Sequence, residues 1–217
     1  MARASQMLQA RKKRRNLPGQ ATLVIVEGQT EEKYFTDLAA YYRSLSTFVL
    51  RGQGTDAVSL VDYAARLYLN GRQGNSRQQR ASAKCFPARI FDKIFIVFDE
   101  DERPEQRRKA LVAIDAFNAK NKKVKMVACD SRPDFELWVL LHYEKLHPRP
   151  YRIADIDAKL HKHMSDYSKA MDGLFARVHD KTETAVQNAN FLRNSKDREE
   201  ADCFTNVDVL VAQCQQN

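Results

Sequence analysis

The chain has 217 residues, 43% hydrophobic and 29% charged, with a formal net charge of +8. That mix excludes a disordered chain and fits one sizeable α/β domain or a core with a helical extension. No run approaches the roughly 20 apolar residues of a membrane span, and the N-terminus lacks the apolar stretch of a secretory signal, so a cytoplasmic protein with no membrane partner is expected.

Residues 1–19 hold Arg3, Arg11, Lys12, Lys13, Arg14 and Arg15 with no acid, which leaves a net charge of only +2 on the rest of the chain. This segment reads as a disordered basic tail. It either contacts a phosphate backbone without reading sequence or merely solubilises the protein. After Pro18-Gly19, Leu23-Val24-Ile25-Val26 is a short β-branched run that reads as a buried strand. Glu27-Gly28-Gln29-Thr30 follows, with Thr30 expected to cap a helix from Glu31 to about Ser44. Phe48-Val49-Leu50 reads as a second strand, and Gly52-Gln53-Gly54 precedes a helix over Ala57 to Leu69.

Residues 70–89 form a predicted loop that carries Arg72, Arg77, Arg80, Lys84 and Arg89 and no acid. Four of these, Arg72, Arg77, Arg80 and Lys84, are candidate nucleic-acid contacts, although a solvated loop gives the same composition. Ile94-Phe95-Ile96-Val97-Phe98 is the strongest strand in the chain and runs directly into Asp99-Glu100-Asp101-Glu102. Pro104 suits a helix start, and that helix is expected to reach Lys120. Val124 to Cys129 reads as a fourth strand and Asp130 to Pro133 as a turn. Phe135 to His142, apolar almost all round, reads as a buried helix. Beyond His147-Pro148-Arg149-Pro150 only helices are expected, over Ile156–Met164, Tyr167–Val178, Thr182–Asn194 and Asn206–Gln215. The four cysteines show no CxxC spacing and read as reduced thiols, and the histidines form no HExxH pair.

The order β-α-β-α-β-α-β-α predicts a mainly parallel four-stranded sheet flanked by helices. The expected organisation is a tail over 1–19, a catalytic core over 20–145 and a helical C-terminal extension over 146–217. In such sheets sites form beyond the carboxyl ends of the strands. The first strand end offers Glu27, with Glu31 a turn later. The third offers Asp99 and Asp101, and the fourth Asp130 and Ser131, with Glu136 in the helix that follows. Carboxylates gathered on one edge repel each other unless a cation neutralises them, and hard oxygen donors select Mg²⁺ or Mn²⁺. Each acid also has a plain reading. A DxD after a strand is often a solvated turn, and Glu27 can simply end a strand. Glu31 suits a helix dipole, and Glu136 could pair with Arg132. The chemical reading rests on all of them sharing one edge. Trp138, Phe135, Tyr34 and Phe35 read as core rather than as platforms for bases. No P-loop is present. A phosphatase with an aspartate nucleophile would need its DxD after the first strand rather than the third.

The run Leu23 to Glu31 followed by Tyr34-Phe35 resembles the opening motif of RloB-like proteins. Ser131-x-Pro133-x-Phe135-Glu136-Leu137-Trp138-Val139-Leu140-Leu141-His142 resembles that family's most specific signature, and Thr205-Asn206-Val207 with Leu210-Val211 its C-terminal motif. The family is similar to Toprim domains, with a glutamate after the first strand and a DxD after the third. That pattern falls on Glu27, Asp99 and Asp101, and Glu31 matches a further acid of the nuclease branch. The resemblance implies a Toprim-like fold and a Mg²⁺- or Mn²⁺-dependent endonuclease acting on RNA, with tRNA as one candidate, or DNA. It also implies a role in bacterial antiphage defence, often beside an ATPase subunit. Glu27, Asp99 and Asp101 would be catalytic; these three with Glu31 and Glu136 would serve the metal. The alternative is a non-catalytic subunit that binds nucleic acid or an ATPase partner. Asp134 departs from the family, which often has a small residue or cysteine there, and is not expected to decide the chemistry. The 70–89 loop is longer than the family minimum.

Overall fold

A computed structural model describes residues 21–44, 47–52, 56–73, 91–101, 103–195 and 199–216. The basic tail and Arg77, Arg80, Lys84 and Arg89 lie outside these residues, as does the side chain of Arg72. In chain order the elements are β1 (Thr22–Val26), α1 (Gln29–Tyr41), β2 (Thr47–Arg51), α2 (Ala57–Gln73), β3 (Lys93–Asp99), α3 (Pro104–Lys120), β4 (Lys125–Arg132) and α4 (Glu136–Leu140). Then come α5 (Ile153–His163), α6 (Leu174–Val178), α7 (Thr182–Asn194), β5 (Phe204–Thr205) and α8 (Val207–Gln216).

The strands form one sheet in the order β2-β1-β3-β4-β5, parallel except for β5. Both faces are covered, so the inner strands are apolar without alternation. Val24, Val26, Phe95 and Val97 face one core, built with α1 and the helices from α4 onward. Leu23, Ile25, Ile94, Ile96 and Phe98 face a second core under α2 and α3. Each such buried side chain contributes roughly 1.5–3 kcal/mol. Leu160, Phe175, Leu192 and Leu210, all beyond residue 146, share the first core with Val24 and Trp138. The C-terminal segment therefore covers one face of the sheet together with α1.

Among the described residues the sheet has five strands rather than the expected four, because Phe204 and Thr205 pair antiparallel with Arg132 and Ser131. The segment after Pro150 is thus not wholly helical. Thr205 Oγ1 meets Ser131 Oγ at 2.9 Å, and the Asn206 N–H donates to the Asp130 carbonyl. The Phe204 ring lies under the guanidinium groups of Arg107 and Arg132. The fourth strand extends to Arg132, so Asp130 to Arg132 are strand, not turn. Helix α2 continues through Gln73 into the predicted loop. The expected helix over Tyr167–Val178 forms only from Leu174. Ala170 and Gly173 both take left-handed backbone angles that break it. The buried helix expected over 135–142 is confined to Glu136–Leu140.

Candidate metal centre

Glu27 follows β1 directly, and α1 opens two residues later with Gly28 as its N-cap. Thr30 is not the cap; its Oγ1 accepts the Ala170 N–H at 2.9 Å instead. Glu31 falls in the first turn of α1 and is buried, with its carboxylate folded back over Gly28. A Cβ at Gly28 would stand 2.6 Å from Glu31 Oε2, so only glycine leaves that space.

Asp99 ends β3 one strand away, and its backbone N–H donates to Glu27 Oε2 at 3.4 Å. Asp99 pairs in register with Ser131 of β4. Past the strand ends the two chains stay joined, since Glu100 N–H donates to the Ser131 carbonyl and Asp101 N–H to the Pro133 carbonyl. Asp101 is exposed and takes a left-handed φ of 47°. This zipper carries the loop before α4 onto the same edge, and with it Asp134 and Glu136, both buried. Glu27 and Glu31, then Asp99 and Asp101, then Asp134 and Glu136 therefore line the carboxyl ends of three adjacent strands.

The acids feel one another. Burial pushes the Glu31 carboxyl up to about 7, aided by repulsion from Glu136 and Glu27. Burial pushes Asp134 up to about 8, with Glu136 beside it as the next cause. Asp99 rises well above the usual range through burial and then the charges of Glu31, Asp134 and Glu136. Burial also raises Glu27, opposed by its hydrogen bond from Asp99 and aided by Asp101. Asp99 Oδ1 and both carboxylate oxygens of Asp134 are buried with no hydrogen-bond partner. Glu136 is satisfied: Tyr167 Oη–H donates to it at 2.8 Å, and Lys169 Nζ stands 3.7 Å away. Buried carboxyl oxygens with no donor fit a hard divalent cation, whose charge would favour their ionised form. As they stand, no three acidic, histidine or cysteine side chains among the described residues converge closely enough to hold an ion.

Two sequence readings are corrected. Asp130 faces away from this edge; it is fully buried and neutralised by Arg107 at 2.6 Å, with Asn206 Nδ2 donating at 2.6 Å. Arg132 does not pair with Glu136 but with Glu100, at 2.5 Å. Asp134, and also Lys169 and Tyr167, which the sequence did not single out, stand beside Glu136. The position of Asp134, two residues before Glu136 and just past a strand end, was a usable signal. The pairing of Tyr167 and Lys169 with Glu136 was not, because it depends on where the segment before α6 folds back. That segment is fixed by Thr30, and by Lys33, whose Nζ donates to the Ala170 carbonyl at 2.6 Å and meets Asp172.

The motif residues around Glu136 are mostly scaffolding. Trp138 Nε1–H donates to Tyr34 Oη at 2.9 Å, tying α4 to α1, and His142 Nδ1 bonds the Trp138 carbonyl at 3.0 Å. No helix among the described residues is long and apolar enough to cross a membrane. The family model described as RloB-like protein matches residues 22–213. No curated protein and no solved structure matches the chain.

Proposed function

The chain belongs to the RloB-like family, and from that premise we propose that it is a divalent-cation-dependent endonuclease with a Toprim-like sheet. The observation that carries this reading is the row of coupled carboxylates on three adjacent strand ends, with buried oxygens that no protein donor satisfies. Glu27, Asp99 and Asp101 would hold Mg²⁺ or Mn²⁺, with Glu31 and Glu136 completing the acidic wall. A cation bound there supplies charge to orient a phosphodiester, acidify a water and stabilise the leaving oxygen. Glu27 either ligates or accepts the proton of the attacking water, and its raised basicity suits it to the second task. The substrate in this reading is RNA, tRNA among the candidates, or DNA. It would be guided by the basic N-terminal segment and by Arg72, Arg77, Arg80 and Lys84. The setting is bacterial antiphage defence, with an ATPase subunit as a partner.

The test is to incubate the purified protein with tRNA, single-stranded DNA and duplex DNA in Mg²⁺, Mn²⁺ or EDTA, beside Glu27→Gln and Asp99→Asn. Cleavage that needs metal and falls by at least about 100-fold in both variants supports the nuclease. Nucleic-acid binding without cleavage, with or without an ATPase partner, points instead to a non-catalytic subunit.

A further inference from the structure

Asp134 is the acid that the family resemblance gives no role. It sits at the start of the loop leading into α4, where an aspartate would ordinarily accept hydrogen bonds from the first backbone N–H groups of a helix. It does not do so: the N-cap is Phe135, and α4 has no side-chain cap. Asp134 is 1% exposed, and no N–H or O–H group donates to either of its carboxylate oxygens, which lie against the Glu136 carboxyl instead. Lys169 stands 3.7 Å from Glu136, and it acts on Asp134 by its charge without forming an ion pair with it. A buried carboxylate that supports neither a helix nor an ion pair only costs stability, unless something absent from the polypeptide binds it. Its neighbours are themselves acids, with Glu136 and Asp101 acting on it and Asp99 feeling its charge in turn.

We propose that Asp134 is a cation-binding residue of this chain, its carboxylate joining Asp99 and Glu136 in holding a divalent metal on the β4 side of the site. This rests on the metal-dependent reading above and adds a ligand to it. Asp134 would raise the negative charge of the site and hence its affinity for Mg²⁺ or Mn²⁺.

The test is Mn²⁺ titration of the full chain by calorimetry, with melting measured in EDTA and in Mn²⁺. The proteins are wild type, Asp134→Asn, Asp134→Ser and Asp99→Asn. If Asp134 binds the cation, both Asp134 variants lose about tenfold or more in Mn²⁺ affinity, or lose one bound ion. In EDTA they melt at or above the wild-type temperature, because a buried repulsion has gone, and Mn²⁺ stabilises them less. Wild-type affinity and stoichiometry in both Asp134 variants, with affinity lost in Asp99→Asn, would overturn the role of Asp134 and leave the metal site standing. Lower melting in EDTA with unchanged Mn²⁺ affinity would also overturn it, by giving Asp134 a structural duty. A wild-type protein that binds no Mn²⁺ would remove the metal reading and the Asp134 proposal together.

Discussion

Gly28 shows how closely the position of one carboxylate is set. Its backbone φ of −113° is open to any residue, so conformational freedom is not what the glycine supplies. What it supplies is the space into which Glu31 folds. In Gly28→Ala the new methyl would push aside the far end of a flexible side chain, which costs little stability but moves a site acid. The expected outcome is a melting temperature within a few degrees of wild type, with Mn²⁺ affinity and cleavage both reduced by about tenfold. A Gly28→Ala protein with unaltered metal affinity would show that the placement of Glu31 is unimportant. At this scale Glu27, Asp99 and Asp101 could be placed on this edge because each stands at or just past the end of an apolar run, Glu31 because it follows Glu27 by one helical turn, and Glu136 because it is an acid inside an apolar helix. Asp130 was misread for a local reason. It pairs in register with Phe98 rather than with Asp99, and in a strand that one-residue offset turns its side chain to the other face, toward Arg107 of α3.

Helices α1 and α4 carry Glu31 and Glu136, and they are locked together by the buried bond between Trp138 and Tyr34. Tyr34→Phe leaves the indole N–H buried without an acceptor and should cost about 1–3 kcal/mol, read from a denaturant melt. A change below a few tenths of a kcal/mol would mean that the indole finds another acceptor. Strands β1 and β3 were readable from continuous β-branched and aromatic runs, and α3 from its opening proline. Strand β5 was not, because two residues carry no periodicity. It exists because Thr205 and Asn206 find Ser131 and Asp130, which are distant in sequence. The missing first half of the Tyr167–Val178 helix has the same origin. Thr30 and Lys33 take the backbone N–H and carbonyl of Ala170, and that residue turns left-handed instead of continuing a helix.

In the whole molecule, the parallel sheet collects acids on one edge, and the C-terminal helices roof the face that α1 shares. In the proposed nuclease, the chain's net positive charge would meet the phosphate backbone of a nucleic acid and the acidic edge a cation-bridged scissile group. The proposed nuclease depends on Glu27, Asp99 and Asp101 closing on a shared ion. Anomalous diffraction from crystals grown with Mn²⁺ reads this directly. The account predicts a peak within about 2.0–2.6 Å of carboxylate oxygens from all three residues. A saturating Mn²⁺ soak that leaves this edge without a peak, or places the ion on other residues, would contradict it.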